Sequence, residues 1–155
     1  MNQMTDRDSR APPDRPLDAA DYESDFVAWV IRQAALLREG QFSELDRENL
    51  LEELESMGSN VHHALRSRLI VLLAHLLKCQ YQPQRKCKSW FSTISEQRDQ
   101  IALRLERSPS LRRYMDHYIK AAYRSAVTRA SYETGLPKSA FPAALPFSEA
   151  EALDL

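Results

Sequence analysis

Hydrophobic residues recur at steps of three and four along most of the chain, and this spacing predicts a succession of α-helices. The first helix is predicted from about Asp21 to Arg38, with Asp18 or Asp21 as its N-cap and Gly40 at its end. Its predicted inward side chains are Tyr22, Phe26, Trp29, Val30, Gln33 and Leu37. No segment alternates as a half-buried strand would, so the pattern predicts an all-α fold.

Two further helices are predicted between Ser43 and Pro83. The first begins at Ser43, whose spacing from Asp46 resembles a capping box, and ends where Gly58 breaks or bends the chain. Its inward side chains are predicted to be Leu50, Leu54 and Met57. The next helix, from about Asn60 to Gln82, has leucines on two sides, which is typical of a helix at the centre of a bundle.

The fourth helix is predicted to begin near Trp90 and to end at about Arg107, and the fifth is predicted from Pro109 to about Thr134. Pro109 follows a capping Ser108, which favours a helix start, and Gly135 lies where a helix ends. The predicted inward residues of the fifth helix are Leu111, Tyr114, Met115, Tyr118, Ala122 and Val127. A last helical turn is expected after Ser148. The prediction is a single-domain bundle of about five helices with a long central helix near residues 60–82.

Length and composition predict the limits of the domain and the cellular compartment of the protein. At 155 residues the chain suits one domain, predicted over residues 21–155, after a charged, Pro-rich lead-in over residues 1–20 that is expected to be disordered. No apolar stretch reaches the roughly 20 residues of a membrane-spanning helix, and the N-terminus lacks the apolar core of a secretory signal. We therefore expect a cytoplasmic protein in which Cys79 and Cys87 are reduced thiols.

The charge is unevenly distributed although the net charge is only −1. Residues 1–57 carry 14 acidic and 6 basic side chains, residues 58–130 carry 4 acidic and 14 basic, and residues 131–155 carry 4 acidic and 1 basic. Two interpretations follow. Acidic and basic helices neutralise each other, within one chain or between two, or a basic face is offered to nucleic acid or to an acidic partner.

Four ordered segments carry a family resemblance. They are Leu45–Gly58, with its Glu52-Glu53 and Glu55-Ser56-Met57-Gly58, then His75–Pro83, then Ser89–Arg98, and finally Pro109-Ser110-Leu111 with Glu133-Thr134-Gly135-Leu136-Pro137. Together they resemble the bacterial domain-of-unknown-function family 29 over about Tyr22 to Leu155. The resemblance implies an all-α fold and assigns no activity, cofactor or partner.

Arg68 and His75 are seven residues apart, two helical turns, and so share a helix face. An Arg followed by a His at about this spacing resembles the motif of HEPN-type ribonucleases, where His would be the general base on the ribose hydroxyl and Arg would stabilise phosphate charge. The motif allows four to six residues between the Arg and the His, and Arg112 and His117, five residues apart, also fit it, which shows how easily the pattern arises. The alternative is a buried His75 that is hydrogen-bonded across the bundle.

Glu48, Glu52 and Glu55 share one face of the second predicted helix. With His75 on a facing helix they are candidate ligands of a metal ion. The chain has no Glu-x-x-His pair, which a di-metal site would usually supply. The alternative is a solvated acidic face that pairs with nearby basic residues.

A basic connector surrounds two aromatic residues, and its candidate nucleic-acid contacts are Lys78, Arg85, Lys86, Lys88, Trp90 and Arg98. Basic side chains interleaved with aromatic rings can hold phosphates and stack bases. The alternative is that the rings fill gaps in the core. Cys87 lies between Lys86 and Lys88, which would favour a reactive thiolate if the thiol is exposed.

Nucleotide-binding and hydrolase motifs are absent from the sequence: it contains no Walker loop, no Gly-rich dinucleotide loop, no Gly-x-Ser-x-Gly elbow and no Cys-x-x-Cys pair. No cofactor is predicted. The sequence favours a non-enzymatic helical interaction protein that binds a protein partner or its own copy. The alternative is a nucleic-acid-binding protein or a metal-independent ribonuclease that uses Arg68 and His75.

Overall fold

The computed structural model describes residues 22–154, which form five α-helices joined by turns and short 3-10 helices. The helices are α1 (Phe26–Glu39), α2 (Arg47–Tyr81), α3 (Lys88–Arg107), α4 (Met115–Thr134) and α5 (Glu149–Leu153). No strand occurs within these residues, so the predicted all-α fold is confirmed. The predicted lead-in, residues 1–20, lies outside the described part of the chain.

The chain divides into two compact units, with the boundary between Glu55 and Ser56 inside α2. The first unit contains α1 and the first two turns of α2, and we call it the N-terminal unit. The second contains the rest of α2 with α3, α4 and α5, and we call it the C-terminal unit. The single domain over residues 21–155 stays a prediction.

In the N-terminal unit, aspartates begin both helices. Asp25 caps α1 by accepting a hydrogen bond from the Ala28 amide at 3.0 Å. Asp46 precedes α2 and accepts from the Asn49 amide at 3.3 Å. The expected start of the first helix near Asp21 is therefore wrong by several residues, because the cap is Asp25. The expected capping box at Ser43 is also wrong, since Ser43 lies in a separate 3-10 turn and the aspartate itself is the cap.

Side-chain hydrogen bonds join the start of α2 to α1 and to the residues just before it. The Trp29 indole donates to the Asp46 carboxylate at 3.0 Å, and the Gln33 side-chain oxygen accepts from the Asp46 amide at 2.9 Å. The Tyr22 hydroxyl donates to Glu53 at 2.5 Å. Trp29 and Gln33 are buried as predicted, and their partners explain how a buried amide side chain is accommodated.

Gly58 does not break the chain, so the second and third predicted helices are one helix. A glycine inside a helix costs about 1 kcal/mol relative to alanine. Good helix formers precede Gly58, and the leucines that follow it from Leu65 onward are buried in the core, so packing of the helix outweighs that cost. Two predicted inward residues of this stretch are exposed, namely Leu54 and Met57.

The core of the C-terminal unit is built around the second half of α2. Its fully buried leucines are Leu65, Leu69, Leu72, Leu73 and Leu77, in agreement with the predicted two-sided apolar pattern. From α3 the core takes Ile94, Ile101 and Leu105. From α4 and α5 it takes Met115, Ile119, Ala122, Ala126, Ala130, Ala152 and Leu153. This half of α2 is therefore the central helix of the unit.

The segment after Ser108 begins as a 3-10 helix over Pro109–Tyr114, and α4 follows from Met115. The fifth predicted helix was therefore placed six residues too early. Tyr114 was expected to lie inward but is exposed. The last helical turn was predicted correctly, because Ser148 and Glu151 form a capping box at the start of α5.

Within the described residues, every helix is too short or too polar to cross a lipid bilayer.

Candidate functional site

Lys78 does not reach solvent as a nucleic-acid contact would. It lies buried near the end of α2, and its ammonium group is 2.6 Å from the Glu133 carboxylate on α4. The other Glu133 oxygen accepts from Arg129 at 2.7 Å, and Lys78 lies 4.5 Å from the centre of the Trp90 ring. Burial works to raise the pKa of Glu133, but hydrogen bonds and charges from Lys78 and Arg129 outweigh it and hold the pKa below its ordinary value.

Three of the segments that carry the family resemblance meet at this ion pair. Lys78 comes from the second segment, Trp90 from the third and Glu133 from the fourth. Four residues beyond Lys78, the Gln82 side chain donates to the Thr134 carbonyl at 3.4 Å. These polar side chains therefore serve to fasten α2 to the end of α4.

His75 is buried and bonded to its own helix. Its Nδ1 lies 2.9 Å from the Val71 carbonyl, which only accepts, so Nδ1 carries the proton. Burial lowers the pKa of His75, the Val71 carbonyl opposes this, and the nearby Lys78 charge lowers it further. The imidazole is therefore neutral at physiological pH. A hydrogen-bond partner across the bundle was expected for His75, but its partner is the Val71 carbonyl, one turn earlier in the same helix.

Arg68 and His75 are engaged with different groups. The Arg68 guanidinium donates to the Gln97 side chain on α3 at 3.2 Å. The charges that act on His75 are those of Lys78, Glu133 and Arg129. Each side chain thus has a role in packing, and the ribonuclease hypothesis stays a prediction.

Arg98 holds the C-terminal helix in place. Its guanidinium donates to the Ala152 and Glu151 carbonyls at 3.0 Å each and lies 3.4 Å from the Asp154 carboxylate. These are the last carbonyls of α5, which have no partner within the helix. Arg98 was predicted to contact nucleic acid, but in the structure its guanidinium group binds α5.

The glutamates of the candidate metal site are on the same helix as His75. Glu48, Glu52 and Glu55 lie in the first turns of α2 and His75 near its end, so the four do not come from facing helices as the predicted site required. Among residues 22–154, no group of three or more His, Cys, Asp or Glu side chains is placed to hold a metal ion.

The connector between α2 and α3 keeps three exposed cations from the predicted set, Arg85, Lys86 and Lys88. Trp90 is half-buried, and the Lys78 ammonium group covers one face of its ring. Cys87 is exposed at the start of α3, whereas Cys79 is partly buried and burial raises the pKa of its thiol.

Large hydrophobic side chains are exposed mainly in the first part of the described chain. Nine of the thirteen exposed ones among residues 22–154 lie within residues 26–57. Five of them form one side of α1, which we call the α1 apolar face: Phe26, Val27, Val30, Ile31 and Leu37. Three of these, Phe26, Val30 and Leu37, were expected to lie inward. The buried stripe of the helix is instead formed by Trp29, Gln33 and Leu36.

A groove of about 670 Å³ runs beside this face within the N-terminal unit. Ile31, Ala35 and Leu36 supply its apolar lining. Its charged lining residues are Arg32, Glu39 and Glu44. Residues 22–55 carry nine acidic and three basic side chains, so this part of the chain is acidic. A groove with apolar lining and more carboxylates than cations suits an amphipathic, basic segment.

Sequence reasoning missed two residues that organise the molecule. The sequence placed Glu133 in a family segment, and Asp46 in a family segment and at the end of an expected capping box, but predicted neither contact. Asp46 lies directly before a helical pattern, which is a signal for an N-cap. Glu133 has no comparable local signal, because its partner Lys78 is 55 residues away.

The comparisons with known proteins bear on the family alone. No curated protein and no solved structure matches this chain. The profile of a family described as "Domain of unknown function DUF29" matches residues 22–155, nearly all of the chain. The matched residues include the described helices and the four segments on which the resemblance was based. The chain therefore belongs to the DUF29 family.

Proposed function

We propose that this protein is an interaction module that binds a basic, amphipathic helix of a partner protein on the α1 apolar face. The observation that carries the proposal is the concentration of exposed hydrophobic side chains on α1, where Val27 is 67% and Ile31 51% exposed. Soluble proteins rarely leave such a contiguous apolar surface uncovered unless it binds something. The cytoplasm is the compartment in which we place this interaction.

Charge argues for a basic partner. The carboxylates of Glu39 and Glu44 line the groove beside the face, and the N-terminal unit is acidic. Opposite charge on the partner would steer the encounter and set its register, while the apolar contacts would supply most of the affinity. A helix whose apolar stripe is bordered by Lys or Arg combines both features.

The first experiment places a photo-cross-linking amino acid at Val27 or Ile31 in cells of the native host. The cross-linked peptide is identified by mass spectrometry, and its binding to the purified full-length chain is then measured. We expect a basic, amphipathic helical segment of one partner protein. Ile31→Glu should weaken its binding by about tenfold or more, the loss of one well-buried anchor. Tyr132→Ser removes a hydrophobic side chain elsewhere that is even more exposed, at 90%, and should leave the affinity unchanged.

Three results would overturn the proposal: a cross-link to a second copy of the chain, a cross-link to residues 1–21 of the same chain, or an equal effect of Ile31→Glu and Tyr132→Ser. Sedimentation of the purified protein distinguishes the first from the others. Circular dichroism of the Ile31→Glu variant checks that its helices are intact.

Nucleic-acid binding through the connector is the second candidate. It now rests on the exposed Arg85, Lys86 and Lys88, since Lys78 and Arg98 are engaged inside the C-terminal unit. Copurifying material that absorbs at 260 nm and is removed by nuclease would support it. The triple change of these three residues to Gln should then abolish copurification.

A further inference from the structure

A pocket of about 260 Å³ lies in the C-terminal unit, where the end of α3 meets α2. Its lining residues are Val61, Gln100, Leu103, Arg104, Arg107 and Ser108. None of the six is acidic. Two guanidinium groups, an amide and a hydroxyl therefore share one concave surface with two apolar side chains.

Arg104 is the residue that points to a ligand. Its Nε is buried and has no hydrogen-bond partner. A buried donor without a partner is costly, and native structures rarely leave one. A guanidinium is best satisfied by an oxyanion that accepts from two of its N–H groups at once.

Arg104 and Arg107 have no carboxylate partner among the described residues. Within residues 22–154 neither guanidinium forms an ion pair, whereas Lys78, Arg98, Lys120 and Arg129 all do. Both arginines lie in the last turn of α3, where the helix dipole contributes about half a negative charge. That partial charge offsets only a fraction of two cations, and no acidic residue lines the pocket.

We infer that this pocket binds a phosphomonoester, with the phosphate on Arg104 and Arg107 and the organic group against Val61 and Leu103. Its volume lies just below the range of about 300–1,000 Å³ that is typical of drug-sized ligands, which suits a small ester. Arg107 would hold the anion as it enters. Arg104 would turn slightly so that Nε also donates to a phosphate oxygen.

The test uses the full-length protein and two probes, inorganic phosphate and phenyl phosphate, at constant ionic strength set with chloride. Binding is followed by the ¹H–¹⁵N signals of the arginine Nε–H groups, with the Arg104 signal assigned by its loss in Arg104→Gln. We expect the Arg104 and Arg107 signals to shift and to saturate with either probe. Phenyl phosphate should bind more tightly because its ring covers apolar surface, and equal affinities would assign the site to free phosphate.

Arg107→Gln should weaken binding by about tenfold or more, the effect of one charge-assisted hydrogen bond. Arg124→Gln, which removes the same charge from an exposed position on α4, is the matched control and should change the affinity by less than about twofold. Arg107 is itself exposed, so its variant keeps the test informative if Arg104→Gln does not fold.

The inference is overturned if the signals shift linearly without saturation, if chloride alone reproduces the shifts, or if Arg107→Gln and Arg124→Gln behave alike. None of these results depends on the α1 apolar face, so the pocket and the proposed docking surface are tested independently.

Discussion

The Lys78 ammonium group and the Glu133 carboxylate lie 2.6 Å apart, although 55 residues separate them in the chain. Lys78 is nearly inaccessible, whereas the Glu133 side chain keeps about a quarter of its surface exposed. The pair joins the end of α2 to the end of α4, beside the Trp90 ring. The sequence predicted Lys78 as a solvent-facing contact for nucleic acid, whereas the structure buries it in this ion pair.

Removal of the carboxylate should destabilise the C-terminal unit. Glu133→Gln leaves the Lys78 charge buried without its counter-ion, and we expect a loss of about 1–3 kcal/mol in the free energy of unfolding, measured by urea denaturation. Asp116→Asn breaks the exposed pair with Lys120 and serves as the control, with an expected loss under about 0.5 kcal/mol. Equal losses in both variants would contradict a special role for Glu133.

The same pair predicts how stability responds to acid. The pKa of Glu133 is lowered in the folded protein, so the pair stabilises the fold above the ordinary carboxyl pKa of 4.5. That stabilisation is lost as the pH falls below this value and the folded carboxylate becomes protonated. The free energy of unfolding of Glu133→Gln should therefore fall less steeply with acid than that of the parent. Parallel curves for the two proteins would refute this explanation.

His75 predicts a second pH dependence in a higher range. Because burial lowers the pKa of His75, the unfolded chain binds a proton more readily than the folded one as the pH falls below about 6.5. The parent should lose stability between neutral pH and mildly acidic pH, and His75→Gln should lose less. His117→Gln, on the surface of α4, should behave like the parent. Urea unfolding at several pH values makes the comparison.

Arg98 predicts local rather than global loosening. Arg98→Gln removes the bonds to the last carbonyls of α5, and the amides of Ala152 and Leu153 should exchange with deuterium about tenfold faster or more. Amides in the middle of α2 should keep their protection. Arg124→Gln is the charge-matched control. Unchanged exchange in α5 would mean that Ala152 and Leu153 hold the helix through packing alone.

Two glycines predict opposite effects of the same substitution. Gly58 lies inside α2, and a Cβ there meets no atom within 4 Å, so Gly58→Ala should stabilise the protein by about 0.5–1 kcal/mol. Gly135 ends α4 with φ of +75°, in the left-handed region, so Gly135→Ala should destabilise it by about 1 kcal/mol. Thermal unfolding followed by circular dichroism compares both with the parent. A stability loss in Gly58→Ala would show that the glycine has a role the structure does not reveal.

The helices and most of the core were predictable because their signals are local. The leucine pattern of residues 65–77 requires a buried helix whatever surrounds it, and Gly40 and Gly135 end helices because both adopt positive φ. The predictions failed where the preference of one residue is opposed by the rest of its helix. Gly58 was predicted as a break or bend, yet α2 runs through it from Arg47 to Tyr81.

The burial of α1 shows the limit of periodicity. Its apolar residues occupy two sides of the helix, and the sequence does not say which of them packs. The side with Trp29 and Leu36 is buried because Trp29 and Gln33 reach Asp46 at the start of α2. Val27 and Ile31 were left on the outer side, where they now carry the proposed docking surface.

The sequence by itself determined the all-α class, the ends of several helices and the family, since these depend on short-range preferences and ordered motifs. Only the tertiary structure decided what the cations do. Lys78 is buried against Glu133, Arg98 holds α5, and Arg104 is left without a partner in its pocket. The residues next to a lysine or arginine in the sequence do not distinguish these roles. The role depends on which distant carboxylate or carbonyl the fold brings within reach.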